Sequence, residues 1–185
     1  MKNSKRIRWI TQTAVFIALL IAAQAFTAPF GNIFVTGSVV NMLLAVSVMT
    51  CGLNSGITVS SLSPVLAKFL GIGPLWSIIP FIVLGNIAFI MTWHFIGRKL
   101  KRNRIIMYAV AITTASAVKF LILYFCIAQL AVTVLLKLPE QQAALISGMF
   151  SIPQLITALI GGMAATAVLP ALRKYLKTEV DVSKN

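Results

Sequence analysis

Charge in this chain is gathered into a few short clusters, and long uncharged intervals separate them. Thirteen of the sixteen cations fall at Lys2, Lys5, Arg6 and Arg8, at Arg98, Lys99, Lys101, Arg102 and Arg104, or at Arg173, Lys174, Lys177 and Lys184. The intervals hold apolar segments that approach the ~20 residues a helix needs to cross the hydrocarbon core of a bilayer. A water-soluble domain of this size keeps roughly a quarter of its residues charged. Here 10% are charged and 59% hydrophobic, with a mean hydropathy of +0.95. Such a chain cannot clothe itself for water, so the expected fold class is an all-α membrane protein.

Six apolar segments are readable. They run from about Trp9 to Thr27, Thr36 to Cys51, Ile57 to Leu70, Leu75 to Ile96, Ile105 to Leu136 and Ala143 to Leu172. Pro29 and Gly31 end the first, and Gly52, Asn54 and Gly56 make a turn after the second. The third is short, contains Pro64 and closes at Gly71, Gly73 and Pro74. It is therefore expected to be irregular or covered by neighbouring protein. The first segment follows a basic N-terminus as a signal peptide would, but the further segments favour a retained helix.

Cations accumulate on the cytoplasmic side of membrane proteins. Six spans with both termini in the cytoplasm put all three basic clusters on that side, leaving only Lys68, Lys119 and Lys137 in the outer half or within a span. The predicted organisation is a single six-helix domain over residues 1–178, with a cytoplasmic polar tail at 179–185, in the cell membrane. The net charge of +13 invites a nucleic-acid reading. The cations sit between apolar runs rather than along a groove with interleaved aromatics, so nucleic acid is excluded as a partner. Cys51 and Cys126 have no metal-ligand spacing and imply no disulfide.

Chemistry-bearing residues are few. Ala14, Ala18 and Ala22 recur every fourth position and form one smooth stripe on the first span. Such a stripe is either an internal packing face or a docking surface for another membrane subunit, because small side chains let helices approach closely in lipid. Gly161 and Ala165 in the sixth segment read as internal packing. Polar groups in the spans are Asn41, the Ser60, Ser61 and Ser63 group before Pro64, Asn86, Lys119, Gln129 and Gln154. Each one bonds a neighbouring helix or contributes to a site open to the outside. Lys119, a cation near mid-membrane, is by default functional, whereas Lys68 is near enough to the outer end to reach the headgroups. His94 beside Trp93 reads as an interfacial belt residue. Pro29, Gly31 and Asn32 form a break that suits a lid, with Phe30, Ile33 and Phe34 to cover a ligand, and Gly71, Gly73, Pro74 and Trp76 give a second gating turn. The candidate substrate-binding set is Phe34, Asn41, Lys68, Trp76, Asn86, Lys119, Gln129 and Gln154.

Catalysis finds no support. There is no Ser-His-Asp set, carboxylate pair or metal-ligand cluster, and the three acids, Glu140, Glu179 and Asp181, lie in a loop or the tail. No phosphate-binding loop of the Walker type is present. The chain is expected to have no enzyme activity, no metal and no cofactor of its own, so any ATP-driven work falls to a partner.

At this level the chain resembles the substrate-binding S components of energy-coupling factor (ECF) transporters. The resemblance rests on the basic N-terminus, the Ala14-Ala18-Ala22 stripe and six spans in fewer than 200 residues. FVTGSVVN at Phe34 to Asn41, SPVLAKFLGIGP at Ser63 to Pro74 and PFIVLGN at Pro80 to Asn86 look most like the cobalamin type. The resemblance implies an outward-facing vitamin site, with cobalamin or a cobamide as the first expectation and pantothenate, folate or thiamine as alternatives. It also implies docking through the three alanines on a transmembrane coupling subunit, which rests on two cytoplasmic ATPases. Delivery would follow by toppling in the membrane. The competing reading is a stand-alone channel or secondary carrier for a small organic solute, motivated by Lys119 and the polar groups of the later spans. A membrane enzyme or assembly factor would need a reactive constellation or a large soluble surface, and neither is present.

Overall fold

The computed structural model describes residues 2–99, 104–136 and 138–182, and among these it is all-helical. Lys101, Arg102, Lys137 and Lys184, counted in the charge reading above, lie outside the described residues. Helix α1 (Lys2–Thr27) gives way at Pro29 to a 3-10 turn, Ala28–Phe30, closed by Gly31 in the left-handed region at φ 64. Asn32 then caps α2 (Ile33–Cys51), its side-chain oxygen accepting from the amides of Phe34 and Val35 at 2.9 and 3.3 Å. That cap fixes where α2 begins by satisfying two of its free N–H groups. Gly52 alone separates α2 from α3 (Leu53–Phe69). A second 3-10 turn, Trp76–Ile78, leads into α4 (Ile79–Lys99), and α5 (Arg104–Leu123) continues as π-helical turns from Tyr124 to Leu135.

The last apolar segment, read above as one span, is two helices: α6 (Glu140–Met149) and α7 (Ile152–Val182). Pro153 explains the break, since its missing N–H is harmless only in the first turn of a helix. The first turn forms around it, with the Gln154 amide bonding the Ser151 carbonyl at 3.0 Å. Helix α7 also runs on to Val182, so most of the tail expected at 179–185 is helical backbone.

Five helical stretches are long and apolar enough to cross a membrane: Arg6–Phe30, Ile33–Cys51, Trp76–Gly97, Ile106–Thr133 and Glu140–Leu172. Helix α3, with 17 residues, falls below that length and packs against α1, α2 and α4. Its small side chains, Ser55, Gly56, Ser60, Ser63 and Ala67, turn inward, and Thr13 of α1 donates to Ser55 at 2.9 Å. Large apolar side chains face outward on the other helices, among them Leu19, Leu84, Phe95, Leu121 and Met163. A surface of this kind fits a multi-pass membrane protein.

Because lipid is as apolar as the core, close packing rather than water exclusion holds such helices together. The most extensive pairings are α2 with α7 and α4 with α5. Leu44, Val48, Val59, Phe89, Trp93 and Leu169 fill the main core, and a second cluster joins Leu123, Ile127 and Phe150. Trp93 is fully buried and His94 nearly so, which overturns the interfacial-belt reading. Phe89 and Trp93 lie on one face of α4, and the side-chain-free Gly162 leaves room for the indole.

Gly161 sets the α2–α7 distance. A Cβ there would sit 2.5 Å from the Ser38 carbonyl oxygen and 2.8 Å from the Met42 nitrogen, both backbone atoms. Gly161→Ala is expected to destabilise the fold by about 1–3 kcal/mol. Gly148→Ala, where nothing lies within 4 Å, should change stability by less than about 1 kcal/mol. Thermal unfolding of both variants in one detergent checks the contrast.

Candidate functional site

A cavity of about 350 Å³ opens at one end of the bundle. It lies where α1, α3 and α5 end and α2, α4 and α7 begin, opposite the end where α4 closes and α5 starts. Two loops form its rim. Ala28, Gly31 and Asn32 belong to the α1–α2 turn, and Ile72, Gly73 and Pro74 to the α3–α4 connection. Gly31 and Gly73, at φ 64 and 98, occupy backbone conformations that side chains disfavour, and they let the chain turn back tightly over the opening.

The wall is mainly apolar, with Ile33, Val40, Ile79, Ile82, Leu123, Met149 and Phe150. Polar groups enter at defined points: Gln24 from α1, Thr36 and Asn41 from α2, Ser63 from α3, Asn86 from α4, Lys119 from α5 and Gln154 from α7. Among the described residues, no carboxylate, imidazole or thiol lines the cavity. The arrangement is an apolar hollow with a few convergent amides, hydroxyls and one ammonium on its wall.

Its floor is a connected polar network. Lys119, 3% exposed, donates to Asn41 Oδ1 at 2.6 Å and to Asn86 Oδ1 at 2.7 Å. These are the short distances of charge-assisted hydrogen bonds. Asn41 Nδ2 in turn donates to Thr157 Oγ1 at 3.4 Å, and Thr157 donates to the Gln154 carbonyl at 3.2 Å. The amide orientation of Asn41 follows from having a donor on one side and an acceptor on the other. The Lys119 ammonium also sits 5.6 Å from the centre of the Phe89 ring, within cation–π range. One lysine thereby links α2, α4 and α5, and through Asn41 it reaches α7.

Of the eight residues expected from sequence, the structure brings Asn41, Asn86, Lys119 and Gln154 together in the cavity. The other four lie outside its lining. Phe34 is exposed beyond the Asn32 cap. Trp76 makes an edge-to-face contact with Phe69, both substantially exposed. Lys68 is directed to the Gly73 carbonyl, 3.5 Å away. Gln129 is exposed on the π-helical segment and donates to the Tyr124 hydroxyl at 2.9 Å. The reading missed Gln24, Thr36 and Thr157. Thr157 was findable, since it lies three residues after Gln154 and so shares its helix face. The three alanines of α1 are exposed on the outer flank, away from the bundle interior. No protein-family model, curated protein or solved structure matches this chain.

Removing one acceptor from Lys119 leaves a buried cation short of a partner. Asn86→Leu is therefore expected to cost about 1.5–3 kcal/mol. The pair Asn86→Leu with Lys119→Met should cost clearly less than the sum of the two single changes, because neither partner is then orphaned. Unfolding midpoints for the two single variants and the double variant measure that coupling.

Proposed function

We propose that this chain is the substrate-binding subunit of an ECF-type importer in the cell membrane, with six spans and both termini cytoplasmic. The observation that carries this reading is the cavity, with a lined interior, a loop-built mouth and no catalytic groups. Its position adds support, because it lies at the end of the bundle opposite the basic start of α1, the close of α4 at Arg98 and Lys99, and the start of α5 at Arg104. If the basic ends are cytoplasmic, the mouth opens outward, as capture of an external solute requires. The exposed Ala14-Ala18-Ala22 flank supports docking on a coupling subunit, since it offers a smooth surface for close helix approach. With no nucleotide-binding loop in the sequence, the energy comes from ATP hydrolysed by two partner ATPases.

The ligand is a small vitamin-like solute. Pockets of roughly 300–1,000 Å³ take drug-sized molecules, and this cavity lies near the lower bound. Its size favours pantothenate, folate or thiamine over a cobamide, a far bulkier molecule that would need the rim loops to move well apart.

Two measurements test the proposal. Ala14→Trp and Ala18→Trp should each abolish uptake in cells while leaving solute binding by the purified chain unchanged; survival of uptake in both removes the docking role. Liposomes containing only this chain should not accumulate solute under an ion gradient. Accumulation there, without ATP, would establish a stand-alone carrier instead.

A further inference from the structure

We infer that the molecule bound in the cavity is a small monocarboxylate whose negative charge completes the coordination of Lys119. The inference rests on the binding role proposed above and specifies the chemical class of the ligand. Three observations lead to it.

First, Lys119 lines the cavity and is almost wholly buried, yet among the described residues no carboxylate shares that lining. The sequence holds only three acids, and two of them, Glu179 and Asp181, lie in the last turns of α7, near the far end of a 31-residue helix from the cavity. The third, Glu140, starts α6, is exposed and does not line the cavity. The charge of Lys119 is thus met by amide dipoles and a ring face, which stabilise it without neutralising it. A buried charge without a counter-ion is costly, and an entering anion removes that cost while a neutral solute does not.

Second, an ammonium has three N–H donors. Asn41 and Asn86 take two of them, both through carbonyl oxygens. One donor is left for a guest, which suits a single anionic oxygen.

Third, the rest of the wall fixes what surrounds that charge. Ile82, Leu123, Met149 and Phe150 line it with hydrocarbon, while Gln24 and Gln154 supply neutral amides. A phosphate dianion would need several donors at one point, and among the described residues the lining offers no second cation. A cationic solute would be repelled by Lys119. Among the vitamins considered above, this favours pantothenate, a monocarboxylate, over folate, which carries two carboxylates, and over thiamine, a cation.

The test uses the full chain in phosphatidylcholine nanodiscs, a zwitterionic lipid that adds no free carboxylate. Binding is read by calorimetry and by the shift in unfolding temperature, with paired probes that differ at the carboxylate: pantothenate against panthenol, and biotin against biotinamide. At least one carboxylate is expected to bind, with its uncharged partner weaker by roughly tenfold to a hundredfold. The Asn86→Asp variant supplies an internal carboxylate at the Lys119 contact. It should retain or raise the unfolding temperature and lose carboxylate binding by a similar factor. Equal binding by a neutral partner overturns the inference and leaves the binding role standing, as does full carboxylate affinity in Asn86→Asp. If no probe of either kind binds, the binding role falls and the inference falls with it.

Discussion

A lysine deep inside a helical bundle, held between two asparagine carbonyls, dictates much of what surrounds it. In a low-dielectric interior an ammonium cannot be left to itself, so the helices that bear Asn41 and Asn86 must arrive at fixed heights and rotations relative to α5. Nothing comparable acts on the apolar contacts, which would tolerate a sliding or turning helix at small cost because lipid and core are chemically alike. The hydrogen bonds from Lys119 to Asn41 and Asn86, and from Asn41 to Thr157, thus supply the specificity that hydrophobic burial supplies in a soluble protein. Close approach of α2 and α7 at Gly161 is the steric half of the same arrangement.

Much of this organisation was readable from residue order, and the reasons are instructive. Charge clusters and apolar run lengths located the apolar part of each helical stretch, though neither the start of α1, the end of α7 nor the break before it, because insertion into lipid imposes a coarse and severe rule on composition. The weakness of the third span was visible in its length and in Pro64. The polar cluster was half visible: Asn41, Asn86, Lys119 and Gln154 stand out because each is expensive inside a membrane. Residues near the ends of helices were harder. Phe34, Lys68 and Trp76 lie close to the rim, where a rotation of a third of a turn decides between cavity and lipid, and span-level hydropathy carries no such angle. Gln129 misled for a different reason, since the π-helical stretch Tyr124–Leu135 advances each residue by less than an α-helix does and changes which side chains share a face.

The break between α6 and α7 is another feature that hydropathy conceals. An apolar run is scored by composition, and the run from Ala143 to Leu172 is apolar throughout. What interrupts it is backbone chemistry at Pro153, and the interruption brings Met149, Phe150 and Gln154 to the cavity. A continuous helix would carry these three past the opening on a single spiral.

The unequal heights of the helices have a mechanical consequence. At 1.5 Å per residue, α1 is about 39 Å long and α3 about 26 Å, against a hydrocarbon thickness of ~30 Å. The apolar part of α1, from about Trp9 to Thr27, covers about 29 Å and matches that thickness, because its first turns are charged. The α3 flank falls a few ångströms short, and tilting the rigid body would only shorten its reach further. In a bilayer that flank is accommodated by lipid that thins beside α3, which makes one side of the bundle softer to approach than the others.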